Sequence, residues 1–246
     1  MHNCARYLIF FQYIGTKYSG VVKVPPHQMV KRGVQDHLEE AIQKLRPNNP
    51  VSLLVSSRTD TGVHAFSNSA HFDLQRKNNK PPFAEELLVE ALNYHLKPEQ
   101  IRINRAHRVP CDFHARYRAQ SRTYVYRIAL GVRHRTLLPL TESNLCWNIQ
   151  DTQISFLELT FTSRSFLYKQ LLITGRFWLF WLQVRRMTGA LVAVGRGLLT
   201  VSQLRALLEA KDSLAYPKNL VAPPHGLFLT RVAYRESDLL LQQPTT

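Results

Sequence analysis

The chain has 246 residues, 45% of them hydrophobic, which suffices for one large folded domain or two of about a hundred residues each. Its 32 Lys and Arg against 17 Asp and Glu give a formal charge of +15, which indicates a polyanionic partner and favours nucleic acid. Three widely spaced cysteines argue against a disulfide framework or a zinc site, and no uncharged apolar run reaches the ~18 residues of a membrane span.

The first part of the chain predicts a strand followed by a helix. Residues 7–13 are β-prone and indicate a buried strand, closed by the turn residues Gly15 and Gly20. An amphipathic helix is then predicted by apolar residues at helical spacing, Val34, Leu38, Ala41, Ile42 and Leu45. Pro47 would stop that helix. Residues 1–6 match neither a secretory signal nor an Arg- and Ser-rich presequence, so the compartment is only weakly indicated.

A dense polar cluster at residues 56–65 follows an apolar run that predicts a strand, Val51, Leu53 and Val55. Gly62 allows a tight turn there, and Asp60 would lie beside Arg58 and His64. Neighbouring cations keep a carboxyl group ionised, and an ionised, oriented carboxylate can act as a nucleophile or a base. The alternative is an Asx-turn in which Asp60 caps its own loop and Arg58 is a surface partner.

A strand through residues 70–72 and a second helix complete the first half. Apolar spacing predicts the helix around Leu87, Leu88, Ala91 and Leu92, ending near Pro98. The order of elements favours an α+β fold with helices packed on one face of a sheet. We expect a first domain of two helices on a four-stranded sheet over residues 1–104, a second domain over 105–236, and a tail over 237–246.

Two segments are strongly basic. Residues 101–135 hold nine arginines against the single acid Asp112, and residues 159–208 hold seven Lys or Arg and no acid. Tyr124 and Tyr126 alternate on one face of a predicted strand in the first segment. Two such tyrosines are most often core residues, and a platform for a flipped base is the competing interpretation. Basic runs with interleaved aromatics favour a phosphate-binding groove over an ordinary solvated face.

The remaining predicted elements are a strand at residues 154–161 and a helix at residues 184–195. Helical spacing places its apolar residues in one stripe, Val184, Met187, Ala190, Leu191 and Val194. Arg185 lies one step off that stripe.

Several stretches resemble motifs of the TruA-type tRNA pseudouridine synthases. The longest is Ser-Arg-Thr-Asp-Thr-Gly-Val-His-Ala at residues 57–65. The others are Gly-Thr-Lys-Tyr-Ser-Gly at 15–20, Phe-His-Ala-Arg at 113–116, Tyr-Val-Tyr at 124–126, Phe-Leu-Tyr-Lys-Gln at 166–170, Val-Arg-Arg-Met at 184–187, and the C-terminal stretch 222–229. The resemblance covers most of the chain from Tyr7 to Tyr234.

The resemblance implies the pseudouridine synthase fold, two sheet-plus-helix halves with an active-site cleft between them. It implies isomerisation of uridine to pseudouridine in tRNA, with no cofactor and no metal. Asp60 would be the nucleophile, Tyr124 would stack on the base and assist proton transfer, and Arg185 would hold Asp60. The substrate-binding residues would be Arg58, His64, His114, Arg116 and Leu167. The family commonly forms homodimers, and one branch of it suggests mitochondria, with cytoplasm or nucleus as the alternative.

The chain departs from the family pattern in three places. Val21 stands where relatives usually carry Trp, residues 171–183 form an insertion, and residues 148–153 replace a longer segment. The insertion can displace Arg185 from Asp60, so a catalytically impaired RNA-binding protein is the alternative function. The deletion would expose a sheet face and an edge, which predicts poor solubility or an altered association surface. A generic basic RNA-binding domain with a chance motif is the third interpretation.

Overall fold

The computed structural model describes residues 4–23, 31–131, 138–139, 142–150, 155–164, 183–210 and 216–240. It divides the chain into two units, one of residues 1–123 with 229–246 and one of residues 124–228. Each unit contains both strands and helices, which confirms the predicted α+β class.

The strands are β1 (Cys4–Tyr13), β2 (Leu54–Val55), β3 (His64–Gln75), β4 (Ile101–Val109), β5 (Ser121–Leu130), β6 (Trp147–Ile149), β7 (Ser155–Ser163) and β8 (Leu227–Ala233). The helices are α1 (Val34–Lys44), α2 (Glu85–His95), α3 (Gln183–Gly195), α4 (Val201–Ala210) and α5 (Glu236–Leu239). None of the described helices is long and apolar enough to cross a membrane.

In the first unit the strand order is β4-β1-β3-β8, and β1 is antiparallel to both of its neighbours. Most residues of β1 are buried, on both faces of the sheet, which explains its continuous apolar run. Leu8 and Phe10 pack on one face with Phe113 and its neighbours. Tyr7, the residue before Leu8, lies on the opposite face and donates its hydroxyl hydrogen to the carbonyl oxygen of Phe83, just before α2 (2.8 Å).

The predicted helices α1 and α2 are confirmed within a few residues. The buried face of α1 is the predicted stripe, Val34, Leu38, Ala41 and Ile42. Asp36 caps the start of α1, because its carboxylate accepts the N–H of Gly33 at 2.9 Å. The predicted strand at residues 51–55 is shorter than expected, since only Leu54 and Val55 pair with β3.

The boundary between the units differs from the one predicted near Asn104. Strand β4 pairs with β1 from Ile101 to Val109, so a cut at Asn104 would divide one ladder. Strand β8 also returns to the first unit beside β3, where the hydroxyls of Ser69 and Tyr234 share a hydrogen bond of 2.7 Å. The chain therefore leaves the first unit within β5 and re-enters it within β8.

In the second unit, β5 pairs with β6 in parallel and also pairs with β7. The predicted alternation along β5 is confirmed, because Tyr124 and Tyr126 are both buried on the same face. Arg127 points the other way and binds two carboxylates, Glu142 at 2.8 Å and Glu158 at 2.9 Å. Strand β7 is thereby tied to β5 by an ion pair as well as by its ladder.

Helix α3 is present where the sequence predicts it, but its buried stripe is different. The face includes Thr188 and Gly189, whereas Leu191, predicted to be buried, is 51% exposed. The reason is a close backbone contact: a Cβ on Gly189 would overlap the carbonyl oxygen of Leu220. Only a residue without a side chain lets the chain around Leu220 approach the helix so closely.

Besides Leu191 on α3, the second unit leaves large apolar side chains exposed on β7 and α4. On β7, Phe156 and Leu157 are 50% and 45% exposed. Helix α4 has no buried residue, and its Val201 and Leu208 are 65% and 68% exposed. This distribution agrees with the predicted loss of cover in this half of the chain, and such a surface favours association or poor solubility.

Candidate active site

The loop between β2 and β3 carries the predicted nucleophile on a turn that the first unit holds in place. Asp60 is half-buried, and the loop's buried polar residues are Ser56, Ser57 and Thr59. The N–H of Val63 donates to the carbonyl oxygen of Asp60 at 3.2 Å, which closes the turn. Gly62 has φ = +79°, a left-handed conformation that other residues adopt only with strain.

The opening segment after β1 packs directly against this turn. The N–H of Val21 donates to the carbonyl oxygen of Thr59 at 3.2 Å. Gly20 has φ = +97°, and a Cβ there would lie 2.6 Å from that same oxygen. A Cβ on Gly15 would overlap the carbonyl oxygen of Val63. The two glycines therefore permit a backbone contact that any side chain would prevent.

Buried side chains from β1 and β3 complete the support. The hydroxyls of Tyr13 and Thr59 share a hydrogen bond of 2.7 Å, and the Asn68 amide donates to the carbonyl oxygen of Ser57 at 2.8 Å. The N–H of Ser56 donates to the carbonyl oxygen of Ser69 at 2.8 Å. These groups are paired and buried, so each bond is costly to lose.

Arg122 is a residue of this site that the sequence analysis did not single out. Its side chain is 7% exposed, and its Nε donates to Ser57 Oγ at 2.9 Å. One terminal nitrogen donates to the Ser56 hydroxyl at 3.2 Å and to the Arg116 carbonyl oxygen at 2.9 Å. The alternation of β5 was the available signal, because Arg122 lies two residues before Tyr124 on the buried face.

His64 lies at the start of β3 and has no exposed surface. Its Nδ1 accepts the N–H of Gly15 at 3.0 Å, so the imidazole joins the opening segment to the end of the loop. An imidazole nitrogen that accepts a hydrogen bond carries no proton, which fixes how this ring is protonated.

Three of the predicted substrate-binding residues line a single cavity of about 360 Å³ in the first unit, Arg58, His114 and Arg116. The segment that carries His114 is anchored through Arg6, which binds Asp73 with two hydrogen bonds of 2.7 and 2.8 Å. The same guanidinium donates to the carbonyl oxygen of Phe113 at 3.0 Å. The structure thus brings residues 58 and 114–116 together although they are distant in sequence.

Beneath this segment, His71 is buried, and its Nδ1 accepts the N–H of Ala115 at 3.2 Å. Burial, together with the nearby charges of His114 and Arg6, lowers the pKa of His71 to about 4. A second proton would break the bond from Ala115.

Stability should therefore fall as the pH falls through the range in which only the unfolded chain is protonated at His71. An unfolded histidine titrates near pH 6.5, so the loss begins there, proceeds by ~1.4 kcal/mol per pH unit and reaches ~3 kcal/mol near pH 4. Above pH 6.5 His71 is neutral in both the folded and the unfolded chain and does not change the stability. Below the folded pKa the loss of stability is constant. Urea unfolding between pH 7.5 and 4 should show a shallower decline for His71→Gln than for the wild type. Parallel declines would contradict the assignment.

The other two predicted catalytic residues belong to the second unit. Tyr124 is 9% exposed on β5. Arg185 lies in the first turn of α3, and its Nε donates to the carbonyl oxygen of Ala222 at 2.6 Å. The N–H of Ala222 returns a hydrogen bond of 3.1 Å to the carbonyl oxygen of Arg185. Asp60 lies in the first unit, and its pairing with Arg185 stays a prediction.

Leu167 and residues 171–182 of the predicted insertion lie outside the described residues. Gln183, its last residue, is the first residue of α3. Among the described residues there is no group of three or more His, Cys, Asp and Glu side chains arranged to hold a metal ion.

Comparison with known proteins gives consistent results along the chain. The family described as tRNA pseudouridine synthase matches residues 9–118 and 141–235. A "tRNA pseudouridine synthase-like 1" of Xenopus laevis is 44% identical over 297 aligned residues, 97% of this chain and 95% of the relative. The Homo sapiens protein of that name is 40% identical, over 94% of this chain and 90% of the relative. A "tRNA pseudouridine synthase A" of Hyphomonas neptunium is 31% identical, over 93% of this chain and 98% of the relative.

The alignment with the frog protein is longer than the chain itself. It runs over 297 positions, whereas this chain has 246 residues. At least 51 positions of the frog protein in that alignment therefore have no corresponding residue in this chain. The chain is therefore shortened internally relative to a protein that it otherwise matches from end to end.

Proposed function

Since the chain belongs to the tRNA pseudouridine synthase family, we propose that it isomerises a tRNA uridine with Asp60 as the nucleophile. The observation that carries this assignment is the fixation of the Asp60 loop. Ser56, Ser57 and Thr59 each form hydrogen bonds to other parts of the first unit, and Gly20 lies against the same turn. A displacement of a catalytic group by ~1 Å can lower the rate about a hundredfold, so a catalytic carboxylate requires a loop that is fixed in this way.

The proposed reaction exchanges one bond of the uracil for another. The bond between ribose C1′ and uracil N1 breaks, the base turns, and C1′ bonds to C5. C5 loses a proton and N1 gains one, so the balance requires no oxidant, reductant or co-reactant. Asp60 attacks the nucleoside, at the base or at the sugar, and leaves when the new bond has formed. Tyr124 stacks on the base and assists the proton transfer.

Several residues would bind and position rather than react. We assign Arg58, His114 and Arg116 to the RNA, because they line one cavity beside the Asp60 loop. His64 is enclosed and bonded to Gly15, so we assign it to positioning the loop rather than to contact with the substrate. The formal charge of +15 supports binding through phosphates, with the target base extruded from the RNA stack.

The state of α3 supports an active form of the enzyme. The alternative of impaired catalysis requires the insertion to disrupt the start of this helix. The helix instead begins at Gln183, Val184 is buried, and Arg185 is bonded to Ala222. Arg185 is thereby held in a formed helix, as its proposed role requires.

The test is to incubate the purified full chain with a uridine-rich tRNA transcript and to map pseudouridine by carbodiimide-adduct stops in primer extension. We expect stops at one or a few uridines that are absent without protein. A wild-type protein that binds the transcript tightly, and less so at higher salt, but gives no stops would overturn the proposal.

That outcome would favour a second candidate, an RNA-binding protein on the same fold that has lost catalysis. Two observations favour it: the 51 or more missing positions and the exposed apolar residues of β7 and α4. Formation of a homodimer stays a prediction for either candidate, as does a mitochondrial location.

A further inference from the structure

Tyr117 is the most exposed large hydrophobic side chain in the described part of the chain, at 77%. It lies at the edge of the 360 Å³ cavity lined by Arg58, His114 and Arg116. An exposed tyrosine on its own requires no explanation. What sets Tyr117 apart is that its ring lies against that of His114 and lines a cavity that cationic side chains also line.

The support is a row of three rings in tilted contact. The Tyr117 ring centroid lies 4.3 Å from that of His114, with an interplanar angle of 39°. The His114 ring lies 4.7 Å from that of His71, which is buried. Burial lowers the pKa of His114 as well as that of His71, which favours neutral histidine rings near pH 7.

The backbone that carries Tyr117 is also fixed. The N–H groups of Tyr117 and Arg118 both donate to the carbonyl oxygen of His114, at 3.1 and 2.9 Å. The N–H of Arg116 donates to His114 Nδ1 at 3.2 Å. A ligand that stacks on Tyr117 therefore finds a backbone that is already fixed, which lowers the entropic cost of binding.

The charges around the cavity indicate the ligand. Its lining includes three cationic side chains, Lys23, Arg58 and Arg116, and no carboxylate among the residues described there. A cavity of this size suits a small group. An aromatic face beside cationic side chains is the combination that binds unpaired nucleotides, by stacking and by phosphate contact.

We propose that this cavity binds an unpaired nucleotide next to the reacting uridine, with its base stacked on Tyr117 and its phosphate against Arg116. Arg58 is two residues from Asp60, a backbone span of at most ~7 Å, so the cavity is close to the nucleophile. The proposal rests on the proposed function for the identity of the RNA. It adds a second recognised nucleotide and a residue, Tyr117, that reads the substrate.

The first test compares Tyr117→Ala with Tyr117→Phe and with Tyr94→Ala in tRNA binding. Tyr94 is a matched control, because it is 70% exposed on α2 and does not line the cavity. Tyr117→Ala should bind tRNA about 5- to 150-fold more weakly, the range expected from losing one stacked base. Tyr117→Phe should restore binding because it keeps the ring, and Tyr94→Ala should bind as the wild type does. Wild-type affinity for Tyr117→Ala would overturn the proposal.

Salt dependence separates stacking from charge. Tyr117→Ala should weaken binding by the same factor at every salt concentration, since no phosphate contact is lost. Arg116→Gln should instead reduce the slope of log affinity against log salt by about 0.7. A changed slope for Tyr117→Ala, or an unchanged one for Arg116→Gln, would contradict the assigned contacts.

Two further ligands test the occupant. On a fully paired RNA duplex, Tyr117→Ala should bind as the wild type does, because no unpaired base is available to stack. An equal loss on the duplex would overturn the assignment to an unpaired nucleotide. Free uridine monophosphate that binds as tightly as tRNA does, with the same dependence on Tyr117, would overturn it in favour of a small-molecule site.

These outcomes are distinguishable from a failure of the proposed function. If the wild type makes no pseudouridine but Tyr117→Ala still binds tRNA more weakly, the nucleotide site stands and the catalytic proposal fails. If the wild type makes pseudouridine and Tyr117→Ala matches it in binding and rate, the catalytic proposal stands and the nucleotide site fails.

Discussion

Replacement of Asp60 by asparagine is expected to lower pseudouridine formation by about 10⁴-fold or more, the scale at which a lost nucleophile acts. The amide is nearly the same size as the carboxylate but is a far weaker nucleophile. The loop should keep its shape, because the bonds of Ser56, Ser57 and Thr59 and of the Asp60 backbone stay in place. Folding and tRNA affinity should therefore be little changed while the reaction is lost.

The measurement is single-turnover conversion of a tRNA transcript, with affinity measured in parallel. Asp112→Asn is a matched control, since it also raises the formal charge from +15 to +16 but alters a side chain that is 71% exposed. Wild-type conversion by Asp112→Asn, which carries the same change in charge, would exclude a simple charge effect as the cause of the lost rate. If Asp60→Asn kept more than about a tenth of the wild-type rate, Asp60 would not be the nucleophile.

Individual helices and strands could be predicted because the spacing of apolar residues along the sequence reflects which side chains are buried. Helices α1 and α2 follow from apolar spacing, and the alternation of β5 places Tyr124 and Tyr126 on one face. The position of the Asp60 loop follows from its motif and from Gly62. In each case the deciding interactions lie within a few residues of one another.

The features that were not predicted depend on contacts between distant parts of the chain. Strand β8 joins the first unit beside β3, with Ser69 and Tyr234 bonded across 165 positions, so a boundary drawn at Asn104 had no local signal against it. The exposure of Leu191 follows from the approach of Leu220 to α3 at Gly189. The spacing of apolar residues within a helix does not show which of its faces a later segment of the chain will cover.

Arg122 shows the same limit for a charged residue. A basic run predicts solvent exposure or phosphate contact, and Arg102, Arg105 and Arg118 are exposed as expected. Arg122 is buried instead, because its bond partners are the Ser56 and Ser57 groups of a loop about 65 residues earlier. A guanidinium is suited to this position, since its planar fork can donate to several oxygens at once.

Replacement of Arg122 by methionine is expected to destabilise the protein by ~1–3 kcal/mol, the range for buried polar groups left without a hydrogen-bond partner. Methionine fills much of the same space, so the cost comes from the Ser56, Ser57 and Arg116 oxygens left without a donor rather than from a cavity. Urea unfolding measures this loss. Arg231→Met is the control, an exposed arginine on β8 whose replacement should change stability by no more than ~0.5 kcal/mol.

The same replacement should also separate rate from binding. Where Arg122→Met remains folded, the Asp60 loop loses its donors from β5, and a shift of ~1 Å in the carboxylate would lower kcat about a hundredfold. The KM for tRNA should change much less, because the Arg122 side chain is buried and no phosphate reaches it. Arg122→Lys should recover part of the stability but less of kcat, since an ammonium group cannot reproduce the planar fork. A loss confined to KM would instead show that Arg122 contacts the RNA, and full stability of Arg122→Met would show that the loop is held by its other bonds alone.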